Sequence, residues 1–345
     1  MKKLLCILFI FAAQNVSAQG VTPGDWCLKE FHIKHEELGD IYYYVTEEGI
    51  ETEKPLIFAI QGSGGIPSMI YVKFGEKSTQ FGMLPADFIS RFSDTFHVAY
   101  MAKPGTAFCD TIVVEELNPV EILENYQPTE EYIRNCDLER QVNTSSIVID
   151  ELSKKLSITD DKIIIAGISE GGRIVPPLAA MNSKVTHAVC MVSGGLNQFY
   201  SSIINNRMDA AAGKITHHEA QEKIDELFAI YENIYKEPTS TDKFYYGHSY
   251  KRWGSFCNDI PLEHFLKLDI PIYMLNGSTD RNTPILQADY IKLEFLRIGK
   301  SNLTYDVLPG VDHSLYEVVV EDGEEKGISH RDEAFKKVID WIKNN

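Results

Sequence analysis

Residues 162–171, KIIIAGISEG, decide the fold of this 345-residue chain. The run 162–166 is short, apolar and rich in isoleucine, which is typical of a strand buried on both faces of a sheet. A helical pattern begins at Gly171, and Ser169 lies in the sharp turn between the two. Gly167 and Gly171 suit such a turn, because side chains there would collide with the strand and the helix. The stretch therefore predicts a strand–turn–helix unit that presents Ser169.

The pattern of 162–181 recurs along the chain. Short apolar runs of the strand type alternate with segments of helical spacing, which predicts an α/β fold with a mostly parallel central sheet and helices on both faces. The predicted strands are 31–35, 41–46, 55–61, 96–101, 162–166, 186–192, 271–275 and 303–308, and the predicted helices are 138–156, 171–181, 285–297 and 333–343.

Residues 195–267 interrupt this alternation. Helical spacing is present around 218–235, but aliphatic residues are too few for a separate core. We therefore predict a helical cap inserted between the sixth and seventh strands, within a single domain that spans 19–345. A group of aromatic residues in the cap either lines a pocket or packs the cap itself, and the sequence leaves both open: Phe244, Tyr245, Tyr246, Tyr250, Trp253 and Phe256.

The first 18 residues have the pattern of a secretory signal peptide. Two lysines precede an apolar run over 4–13, and small residues stand at 17 and 18. The run is shorter than the roughly 20 residues that span a bilayer, so we expect cleavage after Ala18 and no stable membrane insertion. The sequence predicts an exported protein, periplasmic or secreted.

Composition and charge narrow the function classes. The chain is 44% hydrophobic and 24% charged, as in ordinary globular proteins. Its net charge is −17, and it becomes −19 when 1–18, which carry two lysines and no acid, are removed. Such an acidic surface disfavours nucleic acid and anionic membranes as partners, since phosphate binding needs clustered basic residues. The sequence does not indicate an oligomeric state.

Five cysteines follow the signal peptide, and none has CxxC spacing. Cys109 and Cys136 flank a long acidic segment without helical or strand periodicity, which is interpreted as a loop. In an oxidising compartment a bridge between them would stabilise the fold. A disulfide and two free thiols both remain open.

A serine nucleophile needs a base and an orienting carboxylate. In parallel sheets such groups lie beyond the carboxyl ends of strands, and two loops meet this condition. The loop after 271–275 carries Asp280, and the loop after 303–308 carries His313. The order Ser169, Asp280, His313 is the order that the G-x-S-x-G motif predicts.

With the motif and the two loops in this order, the chain resembles the α/β-hydrolase superfamily from the strand before Gln61 to the terminal helix. The resemblance implies Ser169 as nucleophile, His313 as general base and then acid, and Asp280 as orienting carboxylate. Gly277, Asp280 and Pro284 also resemble the family's G-x-x-D-x-x-x-P form. The family commonly carries a cap between its sixth and seventh strands.

An oxyanion hole in this family takes one backbone N–H from the residue after the nucleophile and one from the loop after the third strand. Glu170 would supply the first, and Ser63 or Gly64 the second. The loop QGSGG, 61–65, resembles the family's His-Gly-rich loop with Gln61 in place of the histidine. Which N–H completes the hole stays open.

Structural roles compete with these assignments. Ser169 could be an ordinary helix N-cap, Asp280 could cap the following helix, and Asp312 could hold His313 at the surface. The His-rich stretches 32–36 and 217–219 lack the spacing of a metal site. The acidic run 321–327 could bind Ca²⁺, although a solvated acidic loop is favoured. We expect no metal and no organic cofactor.

These observations predict an exported serine hydrolase that cleaves carboxylic esters through an acyl-enzyme. The alternative is an amide hydrolase of the aminopeptidase or dipeptidyl-peptidase type, because the same triad cleaves amides. Glu170 would then pair with a substrate amine, unless it only complements the helix dipole. The third hypothesis is a non-catalytic binding protein with the same fold. The expected partner is a small-molecule ester or a short peptide.

Overall fold

The computed structural model describes residues 9–10, 21–82, 85–116, 126–321 and 324–345. Apart from 9–10, the predicted signal peptide lies outside these ranges, so its cleavage stays a prediction. Within the same ranges, no helix combines the length and the apolar content that a membrane span requires.

Over the ranges that the structure describes, the strands form one large sheet and three small ones. They are β1 (Phe9–Ile10), β2 (Leu28–His35), β3 (Gly39–Thr46), β4 (Leu56–Ile60), β5 (Met69–Phe74), β6 (Lys77–Gly82), β7 (His97–Met101), β8 (Cys109–Val114), β9 (Ile163–Ile168), β10 (His187–Met191), β11 (Phe244–Tyr245), β12 (His248–Ser249), β13 (Ile272–Gly277), β14 (Leu303–Leu308), β15 (Tyr316–Glu321) and β16 (Glu324–Ser329).

The helices alternate with the strands of the large sheet. They are α1 (Pro85–Phe92), α2 (Glu130–Asn135), α3 (Leu138–Lys155), α4 (Glu170–Met181), α5 (Tyr200–Ala211), α6 (His217–Lys236), α7 (Tyr250–Asn258), α8 (Pro261–Phe265), α9 (Ile285–Arg297) and α10 (Arg331–Asn344), with 3₁₀ turns at Pro23–Trp26 and Thr159–Asp161.

The large sheet has eight strands in the order β14-β13-β10-β9-β4-β7-β3-β2. β3 is antiparallel to both its neighbours, and the remaining pairs are parallel. The central strands β4 and β9 are almost entirely buried, since both faces are covered. The predicted mostly parallel sheet is therefore confirmed.

Alternate residues of the strands enter two cores, one on each face of the sheet. Phe58 packs with residues of α3, α4 and α9, such as Leu152 and Leu178. Ile57 packs on the opposite face with residues of α1 and α10, such as Phe88 and Phe335. Each such side chain contributes about 1.5–3 kcal/mol through burial, so the two cores hold the carboxyl edge of the sheet rigid.

Strand β8 of a second sheet, β1-β6-β5-β8, and helix α2 lie where the sequence predicted a long acidic loop, so that prediction is wrong over 109–114 and 130–135. β8 pairs in parallel with β5, and α2 follows it. β8 has only Cys109, Ile112 and Val114 partly buried, and Val113 is 75% exposed. Its sequence therefore lacks the apolar run of a buried strand, and pairing with β5 holds it in place.

The cysteines of the described residues are free thiols, so the bridge considered between Cys109 and Cys136 is not formed. Cys109 begins β8, in the second sheet, whereas Cys136 is buried at the end of α2. Burial raises the pKa of the Cys136 thiol to about 12, and Lys103 and Glu170 are among the charges near it.

Residues 195–267, which we call the insert, lie in the chain between the sixth and seventh strands of the large sheet, β10 and β13. The insert contains helices α5 to α8 and the hairpin β11–β12. Its core is mainly aromatic: Phe199, Tyr231, Ile234, Trp253 and Cys257. The rings of Phe199 and Tyr231 stack with centroids 3.8 Å apart. Part of the aromatic group thus packs the insert itself.

The acidic run 321–327 is not a plain loop. It belongs to the hairpin β15–β16, in which every residue of β16 is exposed, and 322–323 lie outside the described residues. No group of three or more His, Cys, Asp or Glu side chains in the described residues is arranged to hold a metal ion.

Candidate active site

Ser169 lies between β9 and α4, in a strained backbone conformation with φ 57° and ψ −118°. The glycines around it are in close contact with backbone. A Cβ on Gly171 would lie 2.3 Å from the carbonyl oxygen of Ile60, and one on Gly167 would lie 2.3 Å from the carbonyl group of Gly171. The tight turn costs of order 1–3 kcal/mol and presents the serine beyond the sheet edge.

The structure brings the three predicted side chains together. His313 Nε2 lies 3.0 Å from Ser169 Oγ, and His313 Nδ1 lies 2.7 Å from Asp280 Oδ2. The three residues follow β9, β13 and β14, which are parallel strands with their carboxyl ends at one edge. Residues 144 and 33 positions apart in the chain are thus placed within hydrogen-bonding distance.

Asp280 is held as an acceptor by its own loop. Its Oδ1 accepts from the N–H groups of Asn282 and Thr283, and its Oδ2 accepts from the Thr283 hydroxyl at 2.6 Å as well as from His313. The residue is 3% exposed. A buried carboxylate with four donors is fixed in orientation and in turn fixes the imidazole.

The geometry does not support the structural roles considered for Ser169, Asp280 and Asp312. The Ser169 side chain makes no capping hydrogen bond to α4. Asp312 accepts from the N–H groups of Ser314 and Tyr316, so it is Asp280 that holds His313. Asp280 binds the first N–H groups of its loop, and the N-cap position of α9 is Pro284.

The glycine loop runs directly beside the nucleophile. A Cβ on Gly62 would lie 3.7 Å from the Ile168 carbonyl oxygen and 3.9 Å from Ser169 Cβ. The N–H groups of Ser63, Gly64 and Glu170 have no hydrogen-bond acceptor among the residues that the structure describes. These three donors remain available for a developing negative charge.

Glu170 is the centre of a buried cluster of charges that sequence reasoning missed. Its Oε1 accepts from Lys103 Nζ at 2.9 Å, and its Oε2 accepts from Arg252 Nε at 3.0 Å and Nη2 at 2.5 Å. All three side chains are at most 3% exposed. Burial acts to raise the pKa of Glu170, but Lys103 and Arg252 outweigh it and hold the pKa well below its usual range.

Lys103 also contacts the glycine loop. Its Nζ donates to the Gly62 carbonyl oxygen, and the neighbouring Gln61 donates through Nε2 to the Met101 carbonyl at 3.2 Å. Lys103 follows β7, Gln61 follows β4 and Glu170 follows β9. The ends of three adjacent strands are therefore linked around the nucleophile. No local motif in the sequence indicates these contacts.

A cavity of about 470 Å³ lies in the insert and has an apolar wall. It is lined by aromatic and aliphatic side chains of α5 and α6 and of the segment before them, including Leu196, Phe199, Tyr200, Ile203, Phe228 and Tyr235. The aromatic residues at its wall are not those of the group at 244–256, of which Trp253 packs in the core of the insert.

Comparison with known proteins supports the fold. No family model matches the chain, and no curated protein matches it in sequence. Among solved structures, the α/β hydrolase GrgF from Penicillium sp. sh18 matches with a TM-score of 0.53 and 11% identity, over 92% of this chain and 98% of that one. DcsB, in complex with its substrate analogue, matches with a TM-score of 0.52 and 14% identity, over 92% and 99%.

A candidate dipeptidyl aminopeptidase IV from Bacteroides ovatus matches with a TM-score of 0.52 and 9% identity, over 92% of this chain but 36% of that one. Together with the strand order and the turn at Ser169, these likenesses show that the chain has the α/β-hydrolase fold. The resemblance that the sequence indicated is confirmed at the level of the fold.

Proposed function

We propose that the chain is an exported serine hydrolase that cleaves small carboxylic esters by acyl transfer. The observation that carries the proposal is the continuous chain from Ser169 Oγ through His313 to the buried Asp280, with contacts of 3.0 and 2.7 Å. A serine placed in this way is the one arrangement in the molecule that combines a nucleophile, a base and an orienting carboxylate among the described residues.

The proposed reaction has two stages. Ser169 Oγ attacks the ester carbonyl while His313 Nε2 takes the hydroxyl proton, and Asp280 stabilises the imidazolium. The N–H groups of Glu170 and of Ser63 or Gly64 stabilise the oxyanion, and His313 then protonates the leaving alkoxide. Water, activated by His313, attacks the acyl-enzyme and releases the acid.

The state of Glu170 favours esters over peptides. A peptidase that binds a free substrate amine needs an available carboxylate, and the sequence offered Glu170 for that role. Both Glu170 oxygens are bound by Lys103 and Arg252, and the side chain is 1% exposed. The feature that suggested an amine-binding peptidase is therefore occupied inside the protein.

In this proposal the insert acts as a cap that selects the substrate. Its support is the contact of Arg252, on α7 of the insert, with Glu170, the residue that follows the nucleophile. A second contact joins α5 to the loop of the triad carboxylate, where Asn205 Nδ2 donates to the Arg281 carbonyl oxygen at 2.6 Å. The insert thus borders the site at two points.

Labelling with a fluorophosphonate tests the nucleophile. Intact-mass analysis of the wild type is expected to show one adduct, which is absent in Ser169→Ala and retained in the control Ser153→Ala, whose serine lies on α3. A folded wild type that takes no adduct, or an adduct that persists in Ser169→Ala, would remove the basis of the proposal.

A matched pair of chromogenic substrates tests the bond that is cleaved. We expect p-nitrophenyl acetate or butyrate to be hydrolysed with a much higher kcat/KM than the p-nitroanilides of amino acids and dipeptides. Faster release of p-nitroaniline from dipeptide substrates would instead assign the triad to a peptidase.

Export is tested by expression of the full chain in a Gram-negative host. The periplasmic fraction should contain a protein whose N-terminal sequence begins at Gln19. A cytoplasmic protein that retains 1–18 would contradict the predicted cleavage.

A further inference from the structure

The Lys103 ammonium joins the two loops that supply the oxyanion donors. It follows β7 by two residues and is 3% exposed. It donates to Glu170 Oε1, in the residue after the nucleophile, and to the Gly62 carbonyl oxygen, in the glycine loop. No other described cation contacts both loops.

The peptide that Lys103 holds is the one that carries the Ser63 N–H. In a trans peptide the C=O and N–H bonds point in opposite directions, and the described residues contain no cis peptide bond. A hydrogen bond on the Gly62 oxygen therefore fixes the direction of the Ser63 N–H. A Cβ added to Gly62 would lie 3.9 Å from Ser169 Cβ, and the Ser63 N–H has no acceptor among the described residues.

The charge of Lys103 adds to this geometry. A cation on a carbonyl oxygen polarises the amide and makes its N–H a stronger donor, especially in a buried site of low dielectric. A peptide in a glycine loop has several accessible orientations, so a fixed orientation also removes the cost of reorganisation when negative charge develops.

We propose that Lys103 is a positioning residue of the oxyanion hole, which holds the Gly62–Ser63 peptide so that the Ser63 N–H faces the developing oxyanion. This inference rests on the proposed function. It also selects Ser63 over Gly64 as the second donor.

A purely structural role would be to neutralise the buried Glu170, and Arg252 provides the comparison. Lys103 and Arg252 are equally buried and both pair with Glu170, but only Lys103 contacts Gly62. Lys103→Met and Arg252→Met each remove one cation from Glu170 and replace it by a flexible apolar chain.

The experiment measures kcat and KM for a p-nitrophenyl ester, the inhibition constant of a trifluoromethyl ketone and the urea midpoint for both variants. The ketone adds to the serine and places a charged oxygen in the oxyanion hole. Loss of one oxyanion donor lowers kcat by about 10²–10³. Lys103→Met keeps the Ser63 N–H but removes the hydrogen bond that fixes its direction. We therefore expect kcat to fall by about 10–100-fold with little change in KM.

Lys103→Met should also weaken the binding of the trifluoromethyl ketone. Its inhibition constant should rise by the same factor by which kcat/KM falls. Arg252→Met should destabilise the fold to a similar extent while its loss of kcat is at least tenfold smaller. Equal losses of kcat in the two variants, or an effect of Lys103→Met on stability or KM alone, would overturn the inference.

A second pair covers the case in which the methionine variants do not fold. Lys103→Gln keeps an N–H donor for the Gly62 oxygen without the charge, and Arg252→Gln is its partner. We expect Lys103→Gln to lose more kcat than Arg252→Gln and, where Lys103→Met folds, to retain more kcat than that variant; a Lys103→Gln enzyme with wild-type kcat and ketone affinity would overturn the role of the charge. Failure of the proposed function is seen separately, as a wild type without adduct or ester turnover.

Discussion

The large sheet and the insert hold their parts of the site by different means. The sheet places Ser169, Asp280 and His313 through backbone pairing of buried strands and through glycine contacts that admit no side chain. The insert has a small aromatic core and contacts the triad loops through charged and polar groups, such as Arg252 with Glu170 and Asp209 with Arg281. Variants of the sheet should therefore alter the chemical step, and variants at the insert contacts should alter stability.

The strongest test of the sheet side is Asp280→Asn. The amide keeps the shape of the carboxylate but favours the wrong histidine tautomer and leaves the imidazolium without its counter-charge, so kcat should fall about 10⁴-fold. Ester kinetics measure the loss, and thermal unfolding should show that the fold is retained. Asp312→Asn, next to His313, is the control and should lose far less; equal losses would place the orienting carboxylate elsewhere.

The next effect concerns the contact between the two regions. Glu170→Gln leaves the buried Lys103 and Arg252 without their common anion, and loss of one partner of a buried ion pair costs about 3–5 kcal/mol. Urea denaturation at neutral pH measures the change in the free energy of unfolding. Glu263→Gln, at an exposed position of the insert, is the control. A change below about 1 kcal/mol at Glu170 would mean that the insert is not held by this cluster.

The stability of the protein should also depend on pH through a histidine near the Glu170–Arg252 contact. Burial and the nearby Arg252 lower the pKa of His248, on β12 of the insert, to about 3, while Glu170 and Lys103 also lie near it. The unfolded chain binds a proton there near pH 6.5 and the folded chain does not, so the free energy of unfolding falls as the pH drops from about 6.5 toward 3. The slope from this group approaches about 1.4 kcal/mol per pH unit.

Urea denaturation of wild type and His248→Gln between pH 7 and pH 5 isolates that slope. The variant should lose less stability per pH unit than the wild type. The buried His97 and His187, whose pKa values are also lowered by burial, contribute equally to both proteins. Two parallel curves would show that His248 is not kept neutral by the fold.

The smallest effect is expected at the exposed contact. Asp209, on α5, binds Arg281 through two hydrogen bonds of 2.9 and 2.6 Å, but the Arg281 side chain is 45% exposed. Solvent screening limits such a pair to about 0.2–1 kcal/mol. Asp209→Asn should lower the free energy of unfolding by no more than this, and the difference should shrink in high salt. A loss above 2 kcal/mol would make this contact a main attachment of the insert.

The parts of the fold that sequence reasoning predicts are those with local, strong signals. The buried strands are visible as apolar runs such as 162–166, and Ser169 is marked by glycines that only a sharp turn requires. Asp280 and His313 could be chosen because chain order and strand ends restrict the candidates. Each of these inferences needs only the neighbouring sequence and the rule that parallel strands end at one edge.

The parts that were missed depend on partners far away in the chain. β8 is half exposed and becomes a strand through pairing with β5, about 40 residues earlier. From the sequence, Glu170 is interpreted as an acid in the first turn of a helix. Its partners in the structure, Lys103 and Arg252, lie 67 and 82 residues away. The disulfide considered at Cys109 and Cys136 fails for the same reason, since loop length does not reveal that one thiol lies in a strand of the second sheet and the other at the end of α2.

The contacts of Gly167 and Gly171 also limit how this chain can change in evolution or in the laboratory. A substitution to alanine at either position would place the methyl group 2.3 Å from a backbone atom, so even alanine is excluded at both. Random mutagenesis followed by selection for a folded, active protein should therefore recover only glycine codons at 167 and 171. The surface glycines Gly75 and Gly213, where an added Cβ meets no atom within 4 Å, should accept asparagine or aspartate. The turn that presents Ser169 therefore tolerates no side chain at either of these glycines, and a relative with the same chemistry should keep both.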